Sequence, residues 1–441
     1  MTLTVLIVAL FIIGYLCIAL ESVLEINKAA IALLMCVGCW TLLMMGVQGF
    51  FPEVADGVGY VSSRIQHHLG DAGETLFFLM GAMTIVEIVD SNGGFNFVRD
   101  MMKTRSKRKL MWRVAFMTFF LSAILDNLTT SIVMIMVLRK LVQSREERLI
   151  YAGLIIISAN SGGAFSPIGD VTTIMLWIKG VITTQGVLSE IFVPSLVSMV
   201  IPAAILSLSL KGKFDKEQNL KCNEVTAFTK NQRKVIFLLG VGGLVFVPVF
   251  KTLTHLPPFM GILLVLGVLW TVTEIFHRQL EQGEDDTMAK RVSDLLSKID
   301  LSTIMFFLGI LMAVAVLQEI GILTSMGEGL NEAFAGNYYL INGIIGVMSS
   351  IVDNVPLVAG CMGMYPVAAD GAMAVDGVFW QLLAYCAGVG GSMLIIGSAA
   401  GVVVMGLEKI TFGWYLKKMT WIAFVGYLAG IGCYWIEKLF M

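Results

Sequence analysis

The chain has 441 residues, of which 57% are hydrophobic and 14% are charged, with a formal net charge of −2 and a mean hydropathy of +0.83. This composition excludes an ordinary soluble domain, because such domains carry roughly 25% charged residues. We therefore expect an all-α polytopic protein whose surroundings are the lipid bilayer, with no nucleic-acid partner.

Apolar runs long enough for a helix to cross the hydrocarbon core recur along the whole chain. Two further apolar segments, 110–142 and 338–368, are each interrupted in the middle by an Asp-Asn pair and are predicted as re-entrant hairpins. The stretch 50–71 mixes apolar and polar residues and is predicted to lie at the membrane interface. About ten spanning helices are predicted, near residues 2–20, 29–47, 72–90, 150–180, 187–210, 234–250, 257–276, 302–320, 379–405 and 414–436.

An internal repeat is indicated by three short blocks that recur in the same order at a nearly constant offset. Residues 1–212 form the predicted first repeat, 213–233 a cytoplasmic linker and 234–441 the second repeat. Each repeat holds five spans and one hairpin, and an odd number of spans inverts the second repeat in the membrane, as is common in secondary transporters. The matching blocks are Phe77-Phe-Leu79 with Phe306-Phe-Leu308, Asp126-Asn127 with Asp353-Asn354, and Gly162-Gly163 with Gly390-Gly391.

The positions of the basic residues fit this topology if the N-terminus faces outward, because Lys and Arg are enriched in cytoplasmic loops. A basic cluster at residues 99–113 precedes the first hairpin, whereas residues 299–408, around the second hairpin, contain no Lys or Arg. One hairpin is therefore predicted to enter from the inside and the other from the outside. The 30 Lys and Arg residues then lie in the cytoplasm with four exceptions, which are Arg64, Lys179, Lys251 and Lys438.

Each repeat also carries a Gly-rich interruption inside a predicted span, at residues 158–173 and 388–398. Pro167 in the first interruption removes a backbone donor, and the glycines lower the cost of unwinding a helix. We therefore predict discontinuous helices at 150–180 and 379–405. Irregular backbone at membrane depth is tolerated only when it is buried in protein or lines a cavity, so the hairpin tips and the interruptions should meet near the midplane.

A cation site is predicted where these interruptions meet. A carboxylate at the bilayer centre costs about 2.5–3.5 kcal/mol on insertion scales, and a small hard cation needs oxygen ligands with at least one negative charge. Asp126 and Asp170 are the predicted charged pair, while Asp353 could bind a second ion, carry a proton or fix its hairpin. The alternative for each Asp-Asn pair is helix capping. The neutral candidates are Asn127, Asn160, Thr172, Thr173 and Asn354, and additional candidates are Ser166, Thr129, Thr130, Ser392 and Ser398.

The third predicted span carries the next group of acids. Glu87 and Asp90 are one turn apart and share a face, so Glu87 is a candidate for a proton path. Asp90 lies near the cytoplasmic end of the span, and Glu319 is its repeat equivalent. His67 and His68, in the stretch 50–71, are predicted to be peripheral, with a pH-sensing role as the alternative.

Four segments, at residues 125–134, 158–173, 352–356 and 390–400, resemble the NhaD-type sodium/proton antiporters of the ion transporter superfamily. The resemblance covers most of the chain in order. It implies a homodimer of the bacterial cytoplasmic membrane that exports Na⁺ or Li⁺ in exchange for entering H⁺ and serves pH and sodium homeostasis. It also implies a transport region of hairpins and broken helices that moves against a scaffold, which we expect to consist of the terminal spans.

Three other functions fit the sequence less well. An anion transporter of the same fold, for a dicarboxylate or arsenite, would need basic residues near the site, and the related dicarboxylate carriers are expected to have Ser-Asn-Thr tips without the acid. A channel would more naturally use rings of residues across subunits. An intramembrane aspartyl protease would need a Gly-x-Gly-Asp signature, which Pro167-Ile-Gly-Asp170 does not provide. No enzyme activity and no cofactor are therefore expected.

Overall fold

The computed structural model describes residues 2–19, 21–95, 98, 101–102, 104–210, 212–214, 228–281, 292–351 and 353–440. These residues form helices joined by turns, and apart from one isolated bridge between Ser106 and Lys213 they contain no β-pairing. The predicted all-α class is confirmed. The helices are Thr2–Ala19, Glu21–Leu24, Lys28–Met45, Val47–Phe50, Gly57–Ser91, Lys107–Leu125, Asn127–Leu141, Arg145–Ala164, Val171–Ile178, Thr184–Glu190, Phe192–Ser209, Lys230–Thr254, Pro258–Glu281, Val292–Leu296, Leu301–Glu319, Ile322–Ala333, Tyr338–Ser349, Asn354–Met364, Gly371–Met373, Val378–Gly390, Ala399–Glu408, Phe412–Lys418 and Thr420–Phe440.

Seven of the described helices are long and apolar enough to cross a membrane, so the predicted polytopic membrane protein is confirmed. The predicted count of about ten is higher because the first span is the shorter apolar helix Leu3–Ile18 and the spans at 150–180 and 379–405 are each divided in two. The seven are Lys28–Met45, Gly57–Ser91, Phe192–Ser209, Lys230–Thr254, Pro258–Gln279, Leu301–Glu319 and Thr420–Phe440.

The third span is longer than predicted. Gly57–Ser91 is one continuous helix of 35 residues, so residues 57–71, which are predicted to lie at the membrane interface, belong to the same helix as the third span. At 1.5 Å per residue this helix is about 52 Å long, well beyond a hydrocarbon core of about 30 Å. Asp56 caps its start, since the Oδ1 atom accepts a hydrogen bond from the Gly59 N–H at 2.9 Å. The polar first half of the helix explains the mixed composition that favoured an interfacial segment.

Both predicted hairpins are pairs of helices joined at an Asp-Asn tip. In hairpin 1 (residues 107–141) the two helices meet at Asp126, and in hairpin 2 (residues 338–364) they are joined by residues 350–353, of which Val352 lies outside the described residues. At each tip the acid accepts a backbone hydrogen bond from the following helix, from Thr129 at 2.8 Å and from Val355 at 3.3 Å. Each Asp therefore caps the helix that follows it.

The two predicted discontinuous helices are both interrupted. Broken helix 1 (residues 145–178) consists of Arg145–Ala164 and Val171–Ile178, and broken helix 2 (residues 378–408) consists of Val378–Gly390 and Ala399–Glu408. Glycine lets the chain fold closely on itself at both breaks. A Cβ atom on Gly163 would lie 2.5 Å from the Gly169 carbonyl oxygen, and one on Gly391 would lie 2.8 Å from the Gly397 carbonyl oxygen.

Matched contacts support the predicted repeat. The Ser122 hydroxyl of hairpin 1 donates to the Ala159 carbonyl of broken helix 1 at 2.7 Å, and the Ser349 hydroxyl of hairpin 2 donates to the Ala387 carbonyl of broken helix 2 at 2.7 Å. Each hairpin is thus joined to its broken helix in the same way. The inversion of the second repeat and its boundaries stay predictions, and residues 215–227 of the predicted linker lie outside the described residues.

The helices pack in two groups. The scaffold group consists of Thr2–Ala19, Lys28–Met45, Gly57–Ser91, Lys230–Thr254, Pro258–Glu281 and Leu301–Glu319, and the core group consists of both hairpins, both broken helices, Phe192–Ser209 and Thr420–Phe440. The expected scaffold of terminal spans is therefore wrong for the C-terminal helix. Gly426 and Gly430 explain its position, because a Cβ there would lie 2.5 Å from the Ser198 carbonyl oxygen and 2.7 Å from the Pro194 carbonyl oxygen.

A buried ion-pair cluster holds one end of the core group together. The Glu408 side chain, at the end of broken helix 2, is 1% exposed. Its Oε1 atom accepts from Arg139 Nε of hairpin 1 at 2.6 Å, and its Oε2 atom accepts from Arg148 Nε of broken helix 1 at 2.7 Å. One carboxylate therefore links three of the four interrupted elements.

Replacing this carboxylate should destabilise the fold. We expect Glu408→Gln to lower the free energy of unfolding by about 2 kcal/mol, because it removes the buried counter-charge that Arg148 and the partly exposed Arg139 share. Thermal unfolding of the purified protein in detergent would measure the loss. Glu147→Gln is the matched control, since the Lys107–Glu147 pair has a 26% exposed carboxylate and should contribute little. Equal shifts for the two variants would contradict the prediction.

Candidate cation site

The side chain of Asp170 is the centre of the candidate site. Asp170 follows the interruption of broken helix 1 and caps Val171–Ile178, and it is 1% exposed. Its Oδ1 atom accepts hydrogen bonds from the backbone N–H and the hydroxyl of Thr172, both at 3.0 Å. Its Oδ2 atom accepts from Asn127 Nδ2 of hairpin 1 at 2.8 Å. The carboxylate is thus fixed from two different elements.

Two further interruptions reach the same carboxylate through amides. Asn354 Nδ2, at the tip of hairpin 2, lies 3.5 Å from Asp170 Oδ1. Asn127 Nδ2 also donates to Asn160 Oδ1 at 3.1 Å, and Asn160 Nδ2 donates to the Ser398 hydroxyl of broken helix 2 at 2.9 Å. Both hairpins and both broken helices therefore meet in one hydrogen-bonded cluster. We call it the Asp170 network, consisting of Asp170, Thr172, Asn127, Asn160, Asn354 and Ser398.

Helix ends shape the electrostatics of this network. The helices Asn127–Leu141, Val171–Ile178, Asn354–Met364 and Ala399–Glu408 all begin at it, capped by Asp126, Asp170, Asp353 and Ser398. A helix N-terminus carries a partial positive charge and stabilises an anion nearby. Three of the four N-termini already face a carboxylate of the chain itself, so the centre is rich in oxygen acceptors.

Asp126 lies at the tip of hairpin 1 but forms a separate set of bonds. It is half-buried, and its Oδ1 and Oδ2 atoms accept from the backbone N–H and the hydroxyl of Thr129 at 2.8 and 2.9 Å. A small cavity beside it is lined by apolar residues, among them Phe78, Ile168 and Leu244. In the described part of the chain Asp126 and Asp170 share no hydrogen-bonding partner, and only the neighbouring residue Asn127 links them.

The remaining predicted polar residues mostly hold the interrupted backbone. The Ser166 hydroxyl donates to the Ala123 carbonyl of hairpin 1, and the Thr173 hydroxyl donates to the Ala164 carbonyl across the break at 3.4 Å. The Ser392 hydroxyl donates to the Val389 carbonyl at 2.6 Å. Thr130 differs, because its buried hydroxyl has no hydrogen-bond partner among the described residues. It follows Asn127 by one turn of the same helix.

Comparison of the sequence with those of known proteins identifies the family of this chain. A family model described as "Citrate transporter" matches residues 10–381. The chain is 48% identical over 427 residues to "Sodium/proton antiporter 1" of Arabidopsis thaliana, which covers 96% of this chain and 71% of that protein. It is 31% identical over 458 residues to "Na(+)/H(+) antiporter NhaD" of Alkalimonas amylolytica, which covers 98% of this chain and 90% of that protein. The chain belongs to the NhaD-type antiporters. The resemblance to these antiporters that its motifs indicate is confirmed.

Two predicted residues of this NhaD-type chain form no hydrogen bond to the Asp170 network in the described structure. Asp353 accepts from Lys28 Nζ at 3.1 Å rather than from the network. Glu87 pairs with Lys298 at 2.5 Å and accepts from the Ser91 hydroxyl at 2.8 Å, on a part of the third span that is partly exposed. Glu87 therefore lies outside the cluster that the interruptions form.

One cluster of polar side chains in this NhaD-type chain was not predicted from the sequence. Arg64 Nη2 and His68 Nε2 approach Glu319 Oε1 at 2.6 and 2.8 Å, and His68 is buried. His67 is exposed, as predicted. The available signal was the four-residue spacing of Arg64 and His68, which places both side chains on one helix face. The cluster lies away from the Asp170 network.

Gly388 limits the space beside the carboxylate. This glycine is the repeat equivalent of Asn160, and a Cβ atom on it would lie 3.1 Å from Ala164 Cβ and 3.6 Å from Asp170 Oδ2. We expect Gly388→Ala to raise the apparent KM for Na⁺ roughly tenfold, or about 1.4 kcal/mol, and that for the smaller Li⁺ by less. Cation-dependent proton flux in membrane vesicles would measure both constants.

A glycine in open space on the same broken helix provides the control. A Cβ on Gly406 would meet no atom within 4 Å, so Gly406→Ala should leave both KM values unchanged. Equal changes in the two variants, or an equal effect on Na⁺ and Li⁺, would show that the space beside Asp170 does not set the ion size.

Proposed function

We propose that this chain is a secondary active transporter that exchanges Na⁺ or Li⁺ for H⁺ by alternating access, with no enzymatic reaction and no cofactor. The observation that carries the proposal is the convergence of all four interrupted elements on one hydrogen-bonded network around the buried carboxylate of Asp170. Interrupted helices that meet in this way are the typical binding site of a carrier. The names of the sodium/proton antiporters that it resembles point to the same function.

The chemistry of the network favours a small hard cation. Sodium and lithium ions bind carboxylate, amide and hydroxyl oxygens, and these are the groups that the Asp170 network presents. Within the described part of the chain, the hydrogen bonds to Asp126 and Asp170 come from amides, hydroxyls and backbone N–H groups. Asp170 supplies the negative charge, and rotation of the Asn127 and Asn354 amides would add neutral oxygen ligands.

Competition for one carboxylate is sufficient for exchange. Asp170 can hold either a proton or a cation, and it cannot hold both. If the core group changes access only when the carboxylate is neutralised by one of them, an inward proton gradient drives the cation outward. Asp126, next to Asn127, is placed to take part as a second proton carrier or as an entry ligand.

An anion substrate fits the same geometry less well. The helix N-termini around the network would favour an anion, but Asp126, Asp170 and Asp353 already lie at three of them. A dicarboxylate or tricarboxylate would meet these acids at close range, and like charges at such distances cost several kcal/mol. We therefore propose a cation although the matching family model carries the description "Citrate transporter".

Two cavities with separate sets of lining residues are candidates for the access routes. One, of about 320 Å³, is lined by the polar residues His68, Asp71, Glu74 and Lys179 and does not include a network residue. The other, of about 270 Å³, is lined by Lys28, Asp353 and Ser398, and Ser398 belongs to the network. These would be the two access routes, with the Lys28 side reaching the site in the conformation described.

The setting of the protein is also proposed. We place it in a cytoplasmic membrane as a homodimer with its N-terminus outside. The distribution of Lys and Arg supports this orientation. All four outward basic residues have partners there: Arg64 with Glu319, Lys179 with Asp71, Lys438 with Glu190, and Lys251 with the Trp177 carbonyl. Labelling of single cysteines from either side of the membrane would test the orientation, and mass measurement in detergent would test the dimer.

The proposed exchange can be tested in inverted membrane vesicles from cells without their own sodium/proton antiporters. An imposed pH gradient should collapse on addition of Na⁺ or Li⁺ when the chain is present, and uptake of labelled citrate should be absent. K⁺ is added as the selectivity control. Citrate uptake without any cation-dependent proton flux, by a correctly inserted protein from mildly acidic to alkaline pH, would overturn the proposal in favour of an anion carrier.

A further inference from the structure

The carboxylate at the tip of hairpin 2 is paired with a fixed cation. Lys28 Nζ lies 3.1 Å from Asp353 Oδ2, and the two side chains are 23% and 16% exposed. The ammonium also lies 4.3 Å from the centroid of the Phe306 ring, a cation–π distance. Two independent contacts therefore fix the Lys28 side chain at this tip.

The tip of hairpin 1 has the same acid without such a cation. Asp126 is the repeat equivalent of Asp353. It accepts hydrogen bonds from Thr129, and among the described residues it has no Lys or Arg partner. Phe77, which matches Phe306, is 55% exposed. The two tips thus share an acid and a following amide and differ by one ammonium group.

The pair lies next to the candidate cation site. Lys28 and Asp353 line the cavity of about 270 Å³ together with Tyr15, Glu21 and Ser398, and the Ser398 hydroxyl accepts from Asn160 of the Asp170 network. The Glu21 carboxylate also accepts from the Lys28 backbone N–H at 3.1 Å. A transported cation that entered from this cavity would pass two acids and one fixed ammonium.

We propose that the Lys28 ammonium occupies, at hairpin 2, the position of a second transported cation, so that Lys28 determines how many ions move in each cycle. This inference rests on the proposed function. While Lys28 neutralises Asp353, that acid binds neither Na⁺ nor H⁺ during transport. Exchange then proceeds through the acids of the first repeat alone. Lys28 lies on the scaffold group and Asp353 on the core group, so the pair also spans the boundary at which the two groups would move.

The proposal predicts how the number of bound ions changes when the ammonium is removed. We expect Lys28→Gln to bind one more Na⁺ per protein than the wild type, measured with radioactive sodium on the purified protein. The number of ions moved in each cycle can be measured from the ratio of Na⁺ to H⁺ gradients at which net flux stops in proteoliposomes. This ratio should also differ between Lys28→Gln and the wild type. Lys28→Arg and the double variant Lys28→Gln with Asp353→Asn should both show the wild-type values, because each keeps the local charge balance.

Controls separate this effect from a structural one. Lys179→Gln removes the ammonium of the Lys179–Asp71 pair at the other cavity and should leave both readings unchanged. Lys28→His serves if Lys28→Gln does not fold: a histidine, with an unperturbed pKa of about 6.5, keeps a cation beside Asp353 and Glu21 at lower pH and loses it at higher pH. The additional Na⁺ is then expected only at the higher pH.

The outcomes are distinct. Wild-type Na⁺ binding and wild-type flux ratio in an active Lys28→Gln protein would overturn the inference, as would a folded double variant that is inactive. No additional Na⁺ for Lys28→His at either pH would also overturn it. If the wild-type protein itself shows no Na⁺-dependent proton flux, the proposed function fails, which is a separate result.

Discussion

Asparagine in place of Asp170 is expected to reduce Na⁺- and Li⁺-dependent proton exchange on the order of a hundredfold or more, equivalent to about 2.7 kcal/mol. Asparagine has nearly the same shape as aspartate and caps a helix equally well, so Val171–Ile178 should keep its start. The substitution removes the one negative charge that the Asp170 network contains. A cation would then face only neutral oxygens, and the competition with a proton would disappear.

The measurement is cation-dependent proton flux in inverted vesicles, with the amount of folded protein checked by size-exclusion chromatography. Asp300→Asn is the matched control, because Asp300 caps Leu301–Glu319 and accepts from the backbone and hydroxyl of Thr303 as Asp170 does from Thr172. This control lies away from the network and should transport normally. Asp170→Ser, which supplies the residue of the second repeat, should be inactive. Activity within about twofold of wild type in Asp170→Asn would contradict the proposed cation site.

Much of the candidate site could be predicted from local sequence. The Asp-Asn pairs at residues 126–127 and 353–354 mark hairpin tips because a polar pair in an apolar run can only end a helix or serve a site. Pro167 and the glycines around it mark a break for reasons of backbone geometry. These signals depend on neighbouring residues only. They predicted Asn127, Asn160, Asp170 and Ser398 as candidates, and the structure brings these side chains together.

Partners distant in sequence could not be predicted in the same way. Lys28 and Asp353 are 325 residues apart, and Arg64 and Glu319 are 255 apart. Lys28 fits the predicted topology as an ordinary cytoplasmic charge. No residue near it in the sequence indicates that its partner is Asp353. The position of the C-terminal helix likewise depends on the close approach of Gly426 and Gly430 to the Phe192–Ser209 helix. Such contacts follow from the three-dimensional packing of the two groups.

Substitution of Asp126 is expected to have the second large effect on transport. It also tests whether this carboxylate takes part in transport or only caps a helix. We expect Asp126→Asn to lower cation-dependent proton exchange by roughly tenfold to a hundredfold with little change in thermal stability, because asparagine keeps the cap and removes the charge. The vesicle flux and the unfolding temperature in detergent are measured on the same preparations. If Asp126 only caps Asn127–Leu141, this variant should transport at the wild-type rate.

The backbone at Asp126 makes a second substitution informative. Its φ of 81° and ψ of 160° lie in a region that glycine adopts almost alone, at a cost of about 1–3 kcal/mol for other residues. Glycine would relieve the backbone strain at the tip but would lose the helix cap. The loss of stability in Asp126→Gly should therefore be no larger than the loss of the cap alone would cause, and the variant should be inactive. An aspartate kept in such a conformation is best explained by a need for its charge at the tip. Transport by Asp126→Gly at the wild-type rate would leave the carboxylate without a role in exchange and assign the function to Asp170 alone.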